Sequence, residues 1–236
     1  MKTLIIFSTI LFFTSCQYAV MPHRIQKELT YCYTNNNTGI DSLLNIKGYY
    51  SFNQDYSRVR GDSANSKKYR LGFVTCYKNI CTNILFFKDG IIALGFFDYE
   101  QQIPEYINEI YKRTLQGKKS QFYNYEFWGK YIIEDGIIKA QLTNRPSPLS
   151  ATWMPFEIWF KIDDNTTIQL MASRYLHYTK SYQNKSNMDL VILKEDDYLP
   201  ANFTPLEIEL PSNTWLKNKK WFWCDKKQYK TWKSTN

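Results

Sequence analysis

The stretch Phe127-Trp128-Gly129-Lys130-Tyr131-Ile132-Ile133-Glu134-Asp135-Gly136-Ile137-Ile138-Lys139-Ala140-Gln141-Leu142 reads as two short strands folded back on each other. Aromatic and β-branched residues fill both arms, as suits strands. Glu134-Asp135-Gly136 separates them, and Asp-Gly tolerates the positive φ angles of a tight hairpin turn. In the second arm Ile138, Ala140 and Leu142 face one way, and Lys139, Gln141 and Thr143 the other. Phe156, Ile158, Phe160 and Ile162 repeat the pattern against Glu157, Trp159 and Lys161. Period two with one polar face means antiparallel sheet with one buried side.

The same device recurs along the chain. Thr82 to Phe87 and Ile91 to Phe97 flank Lys88-Asp89-Gly90, and Phe156 to Ile162 and Thr167 to Ala172 flank Asp163-Asp164-Asn165. Gly48 to Phe52 and Tyr69 to Tyr77 come before them, and Met188 to Leu193 closes the series. Residues 55–68 are polar and charged and read as a long exposed loop. The expectation is a mainly β protein: one antiparallel up-and-down meander of about nine strands, closed or nearly closed as a barrel. Closure removes the sheet edges that such a meander exposes. One segment departs from period two. Pro104 to Gln116 places Tyr106, Ile107, Ile110, Tyr111 and Leu115 on one stripe, which predicts an inserted amphipathic helix ending before Gly117. A shorter helix is expected from Pro22 to Leu29, with proline in its first turn.

The opening residues have another character. Lys2 precedes an apolar run from Leu4 to Phe13, too short to span a bilayer, and Thr14-Ser15-Cys16 follows. Phe13-Thr14-Ser15-Cys16 resembles the lipobox of bacterial lipoproteins, although that family usually has Leu where Phe13 stands. The resemblance implies cleavage before Cys16, acylation of that cysteine and attachment to a membrane. Gln17, in place of the Asp that favours inner-membrane retention, implies the outer membrane. Gly48-Tyr49-Tyr50, Ile84 to Gly90 and Trp128 to Lys139 are similar to the lipocalin-like lipoproteins of gut-type Gram-negative bacteria. Lipocalins usually carry Trp at the position of Tyr50 and their main helix after the last barrel strand. The expected organisation is a signal peptide over residues 1–15, a lipidated lead-in over 16–45, a barrel over 46–200 and a basic, Trp-rich segment over 201–236.

Setting Cys16 aside, Cys32, Cys76, Cys81 and Cys224 make an even number, which in an exported protein suggests two disulfides. Cys76 and Cys81 flank a turn and are able to close one hairpin, leaving Cys32 and Cys224 to join the domain's ends; the crossed pairings stay open. Cys-x4-Cys without a neighbouring histidine is a poor zinc pattern, so no metal site is expected.

Chemistry is hard to find. His23 lies close to the anchor, and His177 follows a strand in Arg174-Tyr175-Leu176-His177-Tyr178. Gly61-Asp62-Ser63 is similar to an esterase nucleophile block but follows Arg58-Val59-Arg60 rather than an apolar strand, and no Asp stands three residues before His177. Asp62-Ser63-Ala64 also resembles an O-glycosylation acceptor of gut Gram-negative bacteria. Asp163-Asp164 and Glu195-Asp196-Asp197 read as solvated turns rather than paired acid and base across a cleft. Phosphate loops and dinucleotide fingerprints are missing from the chain, so neither catalytic residues nor a cofactor are expected.

The last twenty residues, Lys217 to Asn236, hold seven lysines and one aspartate, so most of the formal charge of +8 belongs to the tail. Four of the seven tryptophans, Trp215, Trp221, Trp223 and Trp232, lie among those lysines. An exported protein rarely meets nucleic acid, so anionic lipid or glycan is the expected partner of such a surface. The preferred reading is plainer: Trp221 and Trp223 pack on the barrel, pinned by Cys224, with the lysines in water. Two function classes follow. In one, the barrel binds a small hydrophobic ligand or lipid, lined by Phe156, Ile158, Phe160, Ile168 and Leu170. In the other, it is a solid, non-enzymatic scaffold that docks an envelope partner through its surface or tail.

Overall fold

The computed structural model describes residues 21–52, 81–97, 102–116, 127–145, 153–176, 190–208, 210–212 and 214–235. These contain nine strands: β1 Gly48–Ser51, β2 Cys81–Phe86, β3 Ile91–Phe97, β4 Phe127–Glu134, β5 Ile137–Asn144, β6 Phe156–Ile162, β7 Thr167–Tyr175, β8 Val191–Ile192 and β9 Leu199–Pro205. Three α-helices accompany them: α1 His23–Glu28, α2 Gln102–Leu115 and α3 Lys226–Thr235.

Strands β1 to β7 each pair antiparallel with the next, β7 pairs with β9, and β9 returns to β1. The result is a closed eight-stranded up-and-down barrel with β8 as an extra strand beside β7. The antiparallel meander, the lipocalin-like barrel and the inserted helix expected from the sequence are all present. Register slips by one residue on β7, where Trp159 opposes Ala172 but Phe160 opposes Leu170. This bulge splits β7 into a first half paired with β9 and a second half paired with β8.

Three details differ from the sequence expectation. The barrel is closed by β9, which straddles residue 200 and carries Pro200 and Pro205 near its two ends, where a missing N–H is tolerated. Met188 to Leu193 contributes only the two-residue β8 among the described residues. On α2 the buried stripe is Ile103, Ile107 and Ile110, while Leu115 is 70% exposed. The strand expected from Tyr69 to Tyr77 and the loop at 55–68 lie outside the described residues.

Alternation along the strands sends one set of side chains inward. Tyr50, Phe52, Ile84, Phe86, Ile92, Leu94, Phe127, Tyr131, Ile138, Leu142, Phe156 and Phe160 form one interior cluster. Phe86 packs edge-on against Tyr131 and Phe160, and Phe127 against Phe156, the arrangement aromatic rings prefer. The interior tyrosines place their hydroxyls where acceptors wait. Tyr131 donates to the Phe87 carbonyl at 2.7 Å, and Tyr50 lies 3.0 Å from the Asn45 carbonyl and 3.1 Å from that of Asn165. Burial raises both phenols well above their ordinary value.

Two glycines answer to geometry. Asp135 and Gly136 both have positive φ, 52° and 74°, as a two-residue hairpin turn matched to strand twist requires. Gly129 sits where a Cβ would stand 1.8 Å from the Gln141 carbonyl oxygen. Gly129→Ala is therefore expected to force β4 from β5 and cost about 1–3 kcal/mol, read as a lower urea midpoint. An unchanged midpoint would mean that the two strands separate freely at this point.

Candidate functional site

Strands β1 to β4 and the turn after β2 carry a large apolar patch on their outer side as well. Tyr49, Leu85, Phe87, Ile91, Ala93, Phe97 and Trp128 form a second cluster outside the barrel. Its cover comes from α2, through Ile103, Ile107 and Ile110, and from the two ends of the described chain, through Tyr33, Leu216, Phe222 and Trp223. By contrast, the outer side of β5 and β6 carries Lys139, Gln141, Glu157 and Lys161.

The two chain ends are sewn together over this surface. Cys32 and Cys224 form a disulfide across 192 residues of sequence. In the chain-entropy view, closing so long a loop contributes about 5 kcal/mol by restricting the unfolded chain. Tyr33 N–H donates to the Phe222 carbonyl at 2.7 Å, and Cys224 N–H to the Tyr33 carbonyl at 2.9 Å. The Tyr33 ring stacks on Phe222 and meets Trp223 edge-on.

Beneath the seam lies an ionic junction. Asp89, in the β2–β3 turn, accepts from Lys217 Nζ at 2.7 Å, Ser212 Oγ at 2.6 Å and Tyr33 Oη at 2.7 Å. Lys217 also donates to Ser212 at 2.7 Å, and its ammonium lies 5.3 Å from the centre of the Tyr33 ring. Its side chain is only 11% exposed and that of Asp89 18%. Burial opposes ionisation of Asp89, but Lys217 and the three donors overcome it and hold the carboxyl below its ordinary value. The phenol of Tyr33 is driven the other way, by burial and then by Asp89.

A second junction fixes the lead-in to the far strands. The buried Glu157 carboxylate accepts from Trp159 Nε1 at 2.6 Å, Arg174 at 3.0 Å and Gln141 Nε2 at 3.2 Å. Gln141 Oε1 in turn accepts the Tyr31 N–H at 3.0 Å. Burial, then the charge of Glu157, push the Tyr31 phenol up to about 12.

A cavity of about 260 Å3 opens on the barrel's flank beside the Asp89 junction. Leu85 from β2, Phe87 just after it, and Leu206, Ile208, Leu210 and Pro211 from the segment after β9 supply its apolar walls. Lys47, Lys88, Asp89 and Ser212 supply its polar rim. Lys88 is paired with Asp41 at 3.2 Å and Asp89 is engaged as above, while Lys47 is exposed and makes no ion pair among the described residues.

Of the residues singled out in the sequence, Cys32 and Cys224 are brought together. Cys16, Cys76 and His177 lie outside the described residues, as does the side chain of Cys81, whose backbone opens β2. Phe156, Ile158, Phe160, Ile168 and Leu170 all point into the barrel and retain no accessible surface, and the flank cavity touches none of them. His23 is exposed on α1. Asp163 and Asp164 occupy an exposed turn, where Asp164 accepts from the N–H and hydroxyl of Thr166, and Glu195 pairs with Lys161 at 2.7 Å. The Asp89–Lys217 junction and the wall formed by Leu206 to Pro211 were missed. Asp89 reads as an ordinary turn residue, and its partner is 128 positions away.

The fold is thus a closed, lipocalin-like antiparallel barrel with a sewn outer cover. No family model matches the chain, and neither a curated protein nor a solved structure matches it.

The junction makes a direct prediction. Asp89→Asn strands the Lys217 charge and is expected to cost about 3 kcal/mol. An Asp89→Leu/Lys217→Met double variant should recover part of the loss, giving a non-additive denaturation cycle. Because folding lowers the Asp89 pKa, its contribution is present above the ordinary carboxyl value and fades as pH falls through the lowered one. The Asn variant should therefore lose less stability than the parent on acidification. Additive single changes would show that the pair is not coupled.

Proposed function

We propose that this protein is an exported envelope lipoprotein, held to the outer membrane by lipid on Cys16, whose barrel acts as a solid, non-enzymatic scaffold for an envelope partner. The observation that carries the scaffold is the packed interior. Phe156, Ile158, Phe160, Ile168 and Leu170 have no accessible surface, so no water-sized space touches them. The leader and Phe13-Thr14-Ser15-Cys16 support the anchor. The Cys32–Cys224 disulfide supports an oxidising compartment outside the cytoplasm. Acyl chains contribute about 0.8 kcal/mol per buried methylene, so more than one chain makes a durable tether. Labelled palmitate is expected to enter the wild-type protein and not a Cys16→Ser variant. Label absent from the wild type, or equal in both, would refute the anchor.

The flank cavity favours a second role, binding of a small amphiphile. Its volume lies just below the 300–1,000 Å3 typical of small-molecule pockets. Apolar walls with a lysine at the rim that has no ion pair among the described residues suit a short acyl chain ending in a carboxylate. Octanoate should raise the thermal midpoint of the wild type and leave that of Leu210→Trp, in which the indole fills the space, unchanged. Equal responses would assign the cavity no ligand.

A further inference from the structure

We propose that the basic face of the C-terminal segment is the surface that rests on anionic lipid headgroups, so that the barrel sits on the bilayer in one orientation. The proposal rests on the lipid-anchored reading and adds to it a direct, charge-based contact with the bilayer.

The first observation is an imbalance of charge. Lys219, Lys220, Lys226, Lys227, Lys230 and Lys233 stand on the outer side of this segment, and all but the half-buried Lys219 are exposed. None forms an ion pair among the described residues; Lys27, Lys47, Lys112, Lys130 and Lys194 form none either, but those are scattered along the chain, whereas these six lie between positions 219 and 233. The nearby acid in the sequence, Asp225, is occupied at the start of α3, where it accepts the Lys227 N–H at 2.7 Å. Lys226 and Lys227 also lie in the first turn of α3, the positive end of the helix dipole, where cations cost stability. The stability of the helix therefore does not account for them, but a negatively charged surface does.

The second observation is where this face sits. Met21, the first described residue, packs with Ile25 and Trp153 against Trp215 and Trp221. The ammonium of Lys219 lies 5.9 Å from the Trp215 ring, and α3 is bound to the same segment by Tyr229 and Lys233, both reaching Asn218. Only four residues, 17–20, separate Met21 from Cys16, and the five steps between them reach at most about 18 Å. An acylated Cys16 thus keeps the Trp215–Trp221 base on a short tether from the headgroups, and lysines brought within about 10 Å of those headgroups are attracted before salt screens them. Partly exposed tryptophan beside lysine suits the wet edge of a bilayer.

The test uses the mature chain from residue 16 carrying Cys16→Ser, which has no acyl group, and flotation with vesicles. Vesicles of phosphatidylglycerol and phosphatidylethanolamine should bind it, and phosphatidylcholine vesicles should not. Binding should fall as salt rises. Each lysine near the surface contributes about five-fold, so Lys226→Gln/Lys227→Gln/Lys230→Gln should lose roughly a hundredfold. Lys112→Gln/Arg113→Gln, on α2, should lose little. Thermal midpoints of both variants checked against the parent exclude misfolding. Equal binding to neutral vesicles, an unaffected triple variant, or capture by sulfated polysaccharide but not by vesicles would overturn the proposal. Because the protein tested carries no lipid, such a failure is distinct from absence of palmitate on Cys16.

Discussion

The constraint on which this molecule depends is that β1 to β4 carry large apolar side chains on both sides. Turning one side inward builds the barrel core. The other side, carrying Leu85, Phe87, Ile91 and Trp128, would face water if the barrel stood alone. The chain resolves this by laying α2 and its two ends across the outside. The lead-in and the C-terminal segment are thereby parts of the hydrophobic structure and not appendages to it. The disulfide, the backbone bonds between Tyr33 and its neighbours, and the Asp89 junction hold that cover in place.

The packed interior shifts attention from the inside of the barrel to its outside. Aromatic rings from β1, β2, β4 and β6 meet near the axis, and the tyrosines among them end on carbonyls. Such a core favours the scaffold reading proposed above. The features that remain to be used are external: the flank cavity, the polar side of β5 and β6, and the lysine-rich segment. The cover itself creates the cavity, because the strap after β9 supplies the apolar wall that faces Leu85 and Phe87.

Much of the architecture was legible in the sequence, for physical reasons. Period-two alternation in β5 and β6 marks a sheet with one buried side, and Asp135-Gly136 marks a turn that needs two positive φ angles. What was hidden is equally instructive. β9 lacks a clear alternation and contains two prolines, so its pairing comes from neighbours that only the closed ring supplies. Lys217 reads as one more wet lysine of a basic tail, yet it is buried on Asp89 from a distant turn. The stripe on α2 is rotated toward Ile103, because the helix faces the outer apolar surface and leaves Leu115 in water. The preferred joining of Cys32 to Cys224 agrees with the structure, although spacing alone left the crossed pairings open.

The long reach of that disulfide also orders events in time. A chain is made from its amino end, so the Cys32 thiol emerges far ahead of the partner it finally takes. Cys76 and Cys81 appear in the interval, and each is an available wrong mate. Early oxidation therefore risks mispaired sulfurs, which must be undone by thiol exchange before the last turns can dock. The seam can close only after Cys224 has been made, so a chain that stops before it lacks the bond between its lead-in and the segment after the barrel.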